Sequence, residues 1–179
     1  GSVAGDKSAP GIETLVVFIG ANNVLGSVTS LQVKWSGKGF DKLGAKDAYN
    51  VWRPTHFATE FQELAKAVAG IRARHVIFAT VPHVTIAPVA RGVGLDKVRR
   101  GSRYFPFYTR PWIDDDKFDA HEDPHIVANQ ARAIDSAVDQ YNDTIAAAVQ
   151  KARREGKDWM LFDLAGLLDR LAARRYLAD

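Results

Sequence analysis

Apolar residues along this chain gather into three short unbroken runs and three helical stripes. The runs are Thr14–Ile19 (Thr-Leu-Val-Val-Phe-Ile), Val76–Val81 (Val-Ile-Phe-Ala-Thr-Val) and Trp159–Phe162 (Trp-Met-Leu-Phe). Runs rich in β-branched and aromatic residues predict strands covered on both faces, since a half-exposed strand would alternate apolar with polar. Gly20, Pro82 and Asp163 end them. In the first stripe Phe57, Phe61, Leu64, Val68 and Ile71 recur at steps of four and three, and Pro54-Thr55 supplies a helix start. The longest stripe predicts a helix over Pro124–Arg154. Val127, Ala131, Ile134, Val138, Tyr141, Ile145 and Val149 form its apolar face; Arg132, Asp135, Asp139, Asn142 and Gln150 lie off it. Asp123 suits its cap, Pro124 its first turn and Gly156 its far end. A last helix uses Leu164, Leu167, Leu168, Leu171 and Ala172. Each strand is followed by a helix, the pattern of an α/β fold with a parallel sheet and right-handed crossovers.

Two segments break the pattern, and both read as insertions. Residues 27–53 are rich in Gly, Lys and Ser, with isolated aromatics at Trp35, Phe40 and Trp52. Residues 83–123 run from a Gly/Arg-rich stretch through an aromatic cluster to an acidic run. Loops of this length inside one domain commonly serve as functional covers. The first strand raises a conflict of its own. Its composition is that of a central strand, yet residues 1–13 read as loop. In simple three-strand order it would lie at an edge, with unpaired backbone groups beside large apolar side chains, which natural sheets avoid. The expectation is that an upstream or downstream segment of the same protein, or a partner chain, completes the sheet.

Bulk properties narrow the reading only a little. The 179 residues amount to one domain, 46% apolar and 25% charged. A net charge of +3 and a pI near 9.2 give no strong field toward an anionic partner. Arg99, Arg100, Arg103 and Arg110 are interleaved with aromatics in the manner of a single-strand nucleic-acid surface. The acidic run that follows argues against such a partner. The lack of cysteine excludes disulfides and thiolate metal sites and leaves the compartment open. No stretch is apolar enough for a membrane span.

Phe18-Ile19-Gly20-Ala21-Asn22-Asn23 resembles the third sequence block of the SGNH (GDSL-type) esterase and lipase family, a buried strand ending in Gly-x-Asn. Phe78-Ala79-Thr80-Val81-Pro82 is similar to that family's next strand and its Thr-x-Pro exit. The resemblance covers roughly residues 13–172. It implies a three-layer, flavodoxin-like α/β sheet with helices on both faces, seen here without its first strands. It also implies a serine esterase or lipase that cleaves carboxylic esters, including lipid esters, through an acyl-enzyme without a cofactor. Asn22 would then be the oxyanion donor, with Gly20 supporting it. The departures are equally specific. No strand followed by Gly-Asp-Ser is present; Gly5-Asp6-Lys7-Ser8 is the nearest string, and it makes Ser8 a poor nucleophile. No histidine follows Asp163 and Asp169, so the Asp-x-x-His block is missing, and Asn23 stands where the family has Asp. Nucleophile and base are therefore expected outside these residues, and the chain alone is expected to be inactive. The other readings kept open are a non-catalytic binding or assembly module and a metal-dependent hydrolase.

The remaining candidates come from residue type and position. His83 follows Pro82 at the second strand's carboxyl end, where open α/β sheets bind ligands, but no nearby acidic residue orients it. Tyr104, Phe105, Phe107, Tyr108, Trp112 and Phe118 would form an apolar wall for a substrate or pin their loop to the core. Tyr104, Phe105, Phe107 and Trp112 are carried with His83 as substrate-contact candidates. Asp114-Asp115-Asp116, Asp119, His121, Glu122, Asp123 and His125 have metal-ligand composition without a recognised spacing, and no metal is expected there. His56 and His75 read as structural.

Overall fold

The computed structural model describes residues 11–86, 88–98 and 100–173; Ser8 and Arg99 lie outside them. In chain order the elements are β1 (Ile12–Val17), α1 (Asn22–Ser30), α2 (Pro54–Ala69), β2 (Ala73–Ala79), β3 (Arg91–Val93), β4 (Phe107–Thr109), β5 (Ile126–Val127), α3 (Ala128–Arg154), β6 (Trp159–Phe162) and α4 (Leu164–Ala173). Short 3₁₀ turns occur over Leu43–Ala48, Val84–Ile86 and Leu95–Lys97. The three apolar runs pair in parallel in the order β1-β2-β6, giving a mixed α/β fold.

Register shows what each strand residue faces. Leu15, Val76 and Trp159 align across the sheet, as do Val17, Phe78 and Leu161, and strand alternation puts these six on one face. Helices α2 and α3 pack together against it. The Phe78 ring meets Phe61 at 5.8 Å and Trp159 at 4.9 Å, and Phe57 stacks on Tyr141 at 4.2 Å. Ile134, Val138, Tyr141 and Ile145 of α3 are fully buried. Each such side chain contributes about 1.5–3 kcal/mol on burial, so the α3 stripe is the main anchor of the helical layer. The Tyr141 hydroxyl donates to the Trp52 carbonyl, tying α3 to the segment before α2.

The opposite face corrects the expectation of a doubly covered first strand. Val16 is 62% exposed and Phe18 55%, and across the sheet Met160 and Phe162 are exposed as well. The reason is that no described helix covers this face; β1, which pairs only with β2 among the described residues, is in addition an edge. It also starts earlier than its apolar run, because the Ile12 N–H already donates to the Arg72 carbonyl at 2.8 Å.

Helix α3 begins at Ala128 rather than Pro124, because Ile126 and Val127 pair with β4. The Pro124 carbonyl accepts from the Thr109 hydroxyl at 2.7 Å, and the Gln130 side chain accepts the Val127 N–H at 2.9 Å. Neither insertion is a plain loop. Residues 22–30 form α1, and β3, β4 and β5 make an antiparallel ribbon within and just after residues 83–123.

Gly20 lies between β1 and α1 with φ +116°, and a Cβ there would sit 2.6 Å from Val81 Cγ2 and 3.2 Å from the Phe57 ring. Gly20→Ala is therefore expected to lose about 2–5 kcal/mol from backbone strain and overpacking combined. Urea unfolding checks this; a loss below about 1 kcal/mol would show that the contact is not tight.

Candidate functional site

The carboxyl end of β2 assembles side chains from three other segments. The Thr80 hydroxyl accepts the Ala165 N–H at 2.8 Å, and Asp163 Oδ1 accepts the Gly166 N–H at 2.9 Å, so the first turn of α4 is capped against the exit of β2. One residue on, the Asn142 amide from α3 takes both backbone groups of Val81. Its Oδ1 accepts the N–H at 2.7 Å, and its Nδ2 donates to the carbonyl at 2.9 Å.

His83 comes next and is buried. Its Nε2 lies 2.9 Å from Asp139 Oδ1 on α3, and its Nδ1 lies 2.9 Å from Asp169 Oδ2 on α4. A neutral imidazole has one N–H and one lone pair, so it would turn that lone pair toward a carboxylate oxygen. The imidazolium donates to both carboxylates. Burial opposes the charge, but Asp135 and the bonds to Asp169 and Asp139 outweigh it and hold the pKa above the usual 6.5. With both nitrogens engaged, His83 is a clamp between α3 and α4 and has no free position from which to act as a base.

Asp135, one turn before Asp139, is 2% exposed. The Thr85 hydroxyl donates to its Oδ2 at 2.6 Å, whereas Oδ1 is buried without a hydrogen-bond partner among the described residues. Burial pushes this carboxyl above the usual carboxylate range, against the Thr85 hydrogen bond, the His83 charge, a Tyr104 hydrogen bond and the Arg103 charge. Burial likewise raises the Tyr104 phenol. The Tyr104 hydroxyl accepts from Arg103 Nη2 at 3.3 Å, and the Arg103 and Arg132 guanidinium carbons each lie 5.4 Å from its ring centre.

Two cavities meet here, sharing His83, Ile86 and Ala172. One, of about 320 Å³, is walled by Asp135, Tyr104, Arg103, Thr85, Asp169 and Arg170 among others. The other, of about 410 Å³, is walled by Ala21 and Leu25 of α1, Pro82, Val84, Leu168 and Leu171. A charged recess and an apolar one thus lie side by side at the sheet edge where such folds place ligands.

The sequence candidates divide around this arrangement. His83 and Tyr104 stand in the walls. Gly20 is buried behind them, and Asn22 is the exposed first residue of α1, next to Ala21 of the apolar wall. Phe105 packs against Tyr108, and Phe107 lies against Phe118 and His125; neither borders these two cavities. Trp112 is 73% exposed beside Arg110. In the acidic run, Asp114 pairs with Arg91 and Lys117, and Asp115 accepts the Gly94 N–H. Among the described residues no three His, Asp or Glu side chains are grouped to hold a metal. His75 pairs with Asp158 at 2.6 Å. His56 Nδ1 lies 2.8 Å from Ser36 Oγ, but Ser36 is fully buried and its Oγ also accepts the Arg53 N–H, so the pair offers no accessible nucleophile.

Asp135, Asp139 and Asn142 were not singled out from sequence as site residues. The signal is present: they follow Ile134, Val138 and Tyr141 by one position each and repeat the same steps of four and three. They form a polar stripe beside the apolar one on the same helix. Compared with known proteins, the chain matches no family model, no curated protein and no solved structure.

The raised His83 pKa makes stability depend on pH. The folded state binds the proton more tightly than the unfolded chain, so this stabilisation is complete below the unfolded value and lost as pH rises through the folded one. Wild type should lose stability as pH rises above the ordinary imidazole value of 6.5, and His83→Gln should flatten that fall. Below it, the variant should be weaker by about 1–3 kcal/mol. Denaturant titrations across this range provide the check; parallel wild-type and variant curves would refute the clamp.

Proposed function

We propose that this chain forms the oxyanion side of an SGNH-type ester hydrolase on a three-layer, flavodoxin-like sheet. The observation that carries the reading is the placement of Asn22. It is the first residue of α1, exposed, immediately beyond the tight Gly20 turn at the carboxyl end of β1. An amide there is free to donate to a tetrahedral oxyanion together with nearby backbone N–H groups. The neighbouring apolar cavity, walled by Ala21, Leu25, Leu168 and Leu171, suits the acyl part of an ester or lipid substrate. The nucleophile and base are assigned to residues outside those described, because His83 has both nitrogens engaged and Ser36 is closed off.

The sheet supports the same reading. β1 offers an unpaired parallel edge among the described residues, flanked by exposed Val16 and Phe18. A further strand, from the same protein or from a partner chain, would pair with that edge, and helices would cover the exposed face. Asn22 would then stand inside the sheet's carboxyl end rather than at its margin.

In the natural protein that contains this chain, Asn22→Ala should lower kcat on p-nitrophenyl esters by about 10²–10³ with KM little changed. A fluorophosphonate probe should label no serine within residues 1–179. Undiminished turnover in the variant, or a natural protein without ester hydrolysis, would reject the reading; the latter result would favour a binding module.

A further inference from the structure

We propose that the two adjoining cavities bind an anionic amphiphile, an alkyl carboxylate whose head lies against Arg103 and Arg170 and whose tail fills the apolar cavity between α1 and α4. This pose puts the carboxyl in the charged recess rather than at Asn22, so the inference goes beyond ester hydrolysis and does not rest on it.

The charged recess favours one negative charge. Four cations, His83, Arg103, Arg132 and Arg170, stand against three carboxylates, Asp135, Asp139 and Asp169. The carboxylates are committed: Asp139 and Asp169 to the two nitrogens of His83, and Asp135 to the Thr85 hydroxyl at a position closed to solvent. The guanidiniums are not. Arg103, Arg132 and Arg170 are exposed, and among the described residues none of them pairs with a carboxylate. Arg103 uses one N–H on Tyr104 and Arg132 lies over the same ring, which leaves most of their donors for a ligand. A guanidinium fork matches a carboxylate in shape. A surplus of one positive charge also suits a carboxylate better than a phosphate monoester, which carries nearly two negative charges.

The second cavity suits the tail. Its 410 Å³ are bounded by Ala21, Leu25, Pro82, Val84, Leu168 and Leu171 among others. His83 is the one ionisable residue in that lining, and with both nitrogens engaged it offers the tail no polar partner. Leu171 is 54% exposed, an apolar rim that a methylene chain would cover. Because His83, Ile86 and Ala172 border both cavities, one unbranched molecule can reach from the guanidiniums into the apolar space. Each cavity alone sits at the small end of the range of about 300–1,000 Å³ for ligand pockets. A short carboxylate would leave the apolar walls wet, and a neutral chain would leave the guanidiniums unmatched.

Calorimetric titration of the full 179-residue chain with monomeric alkyl carboxylates tests the site. Affinity should rise about two- to fourfold per methylene from hexanoate to decanoate. Decanoate should bind about tenfold or more tightly than decyltrimethylammonium or decanol. Arg103→Gln combined with Arg170→Gln changes two exposed positions; it should weaken decanoate by about tenfold and leave decanol unchanged. Should the double variant fail to fold, Arg170→Gln alone decides, with a loss of about threefold. Binding that ignores chain length, equal affinity for the cationic or neutral decyl compound, tighter binding of decyl phosphate, or full decanoate affinity in the folded arginine variant would overturn the proposal.

Discussion

A histidine with a carboxylate on each ring nitrogen is under a constraint that most buried histidines escape. Keeping both contacts requires the imidazolium, and burial of that cation is tolerable only while both carboxylates stay in place. His83 therefore fixes three segments at once: the exit of β2 that carries it, α3 through Asp139 and α4 through Asp169. Asp139 is well exposed, so water screens that contact and lowers its contribution. The Asp169 contact is the more sheltered of the two, and it holds the middle of α4, whose start is already capped by Thr80 and Asp163. Both cavities have His83 in a shared wall. Their shape follows from the clamp, and so does the separation of charged groups from apolar ones at the sheet's carboxyl edge.

Helix α3 carries out two jobs with adjacent stripes. Ile134, Val138, Tyr141 and Ile145 seat it against α2 and the sheet, and Asp135, Asp139 and Asn142 reach toward the exit of β2. The two stripes are about 100° apart on a helix, so a rotation that exposed one would displace the other. Packing energy from the apolar stripe is thereby converted into positional accuracy at the polar one. The same coupling explains how a buried, half-satisfied carboxylate persists. The surrounding burial is large enough to hold it.

The sheet was legible because its three strands are unbroken apolar runs, and α2, α3 and α4 because their stripes are clean. The failures have physical causes. Composition alone predicted that Thr14–Ile19 is covered on both faces, whereas burial depends on which faces the helices pack against, which no single run encodes. Helix α1 hides in Gly26, Ser27, Thr29 and Ser30, poor helix formers that tertiary contacts hold in place, such as the Asn50 amide on Ser30 and the Gly26 carbonyl. The ribbon of β3, β4 and β5 uses strands of two or three residues, too short for any periodic signal. His83 was flagged by its place after Pro82, but its partners are 56 and 86 residues away. Only a folded chain brings such groups together, although Asp135, Asp139 and Asn142 were readable as a stripe.

Asn142 shows how narrow the tolerance at this edge is. Its side-chain amide stands in for the peptide group of an absent neighbour, giving one proton to Val81 and taking one back. The other encoded carboxamide, glutamine, is one methylene longer and would overreach both groups. Aspartate, its isostere, would confront the Val81 carbonyl with a second oxygen, and leucine would strand both peptide groups away from water. The strand's last rung is thus finished by a helix, so the chemical identity of one amide and the phase of a 27-residue helix are set by the same pair of bonds.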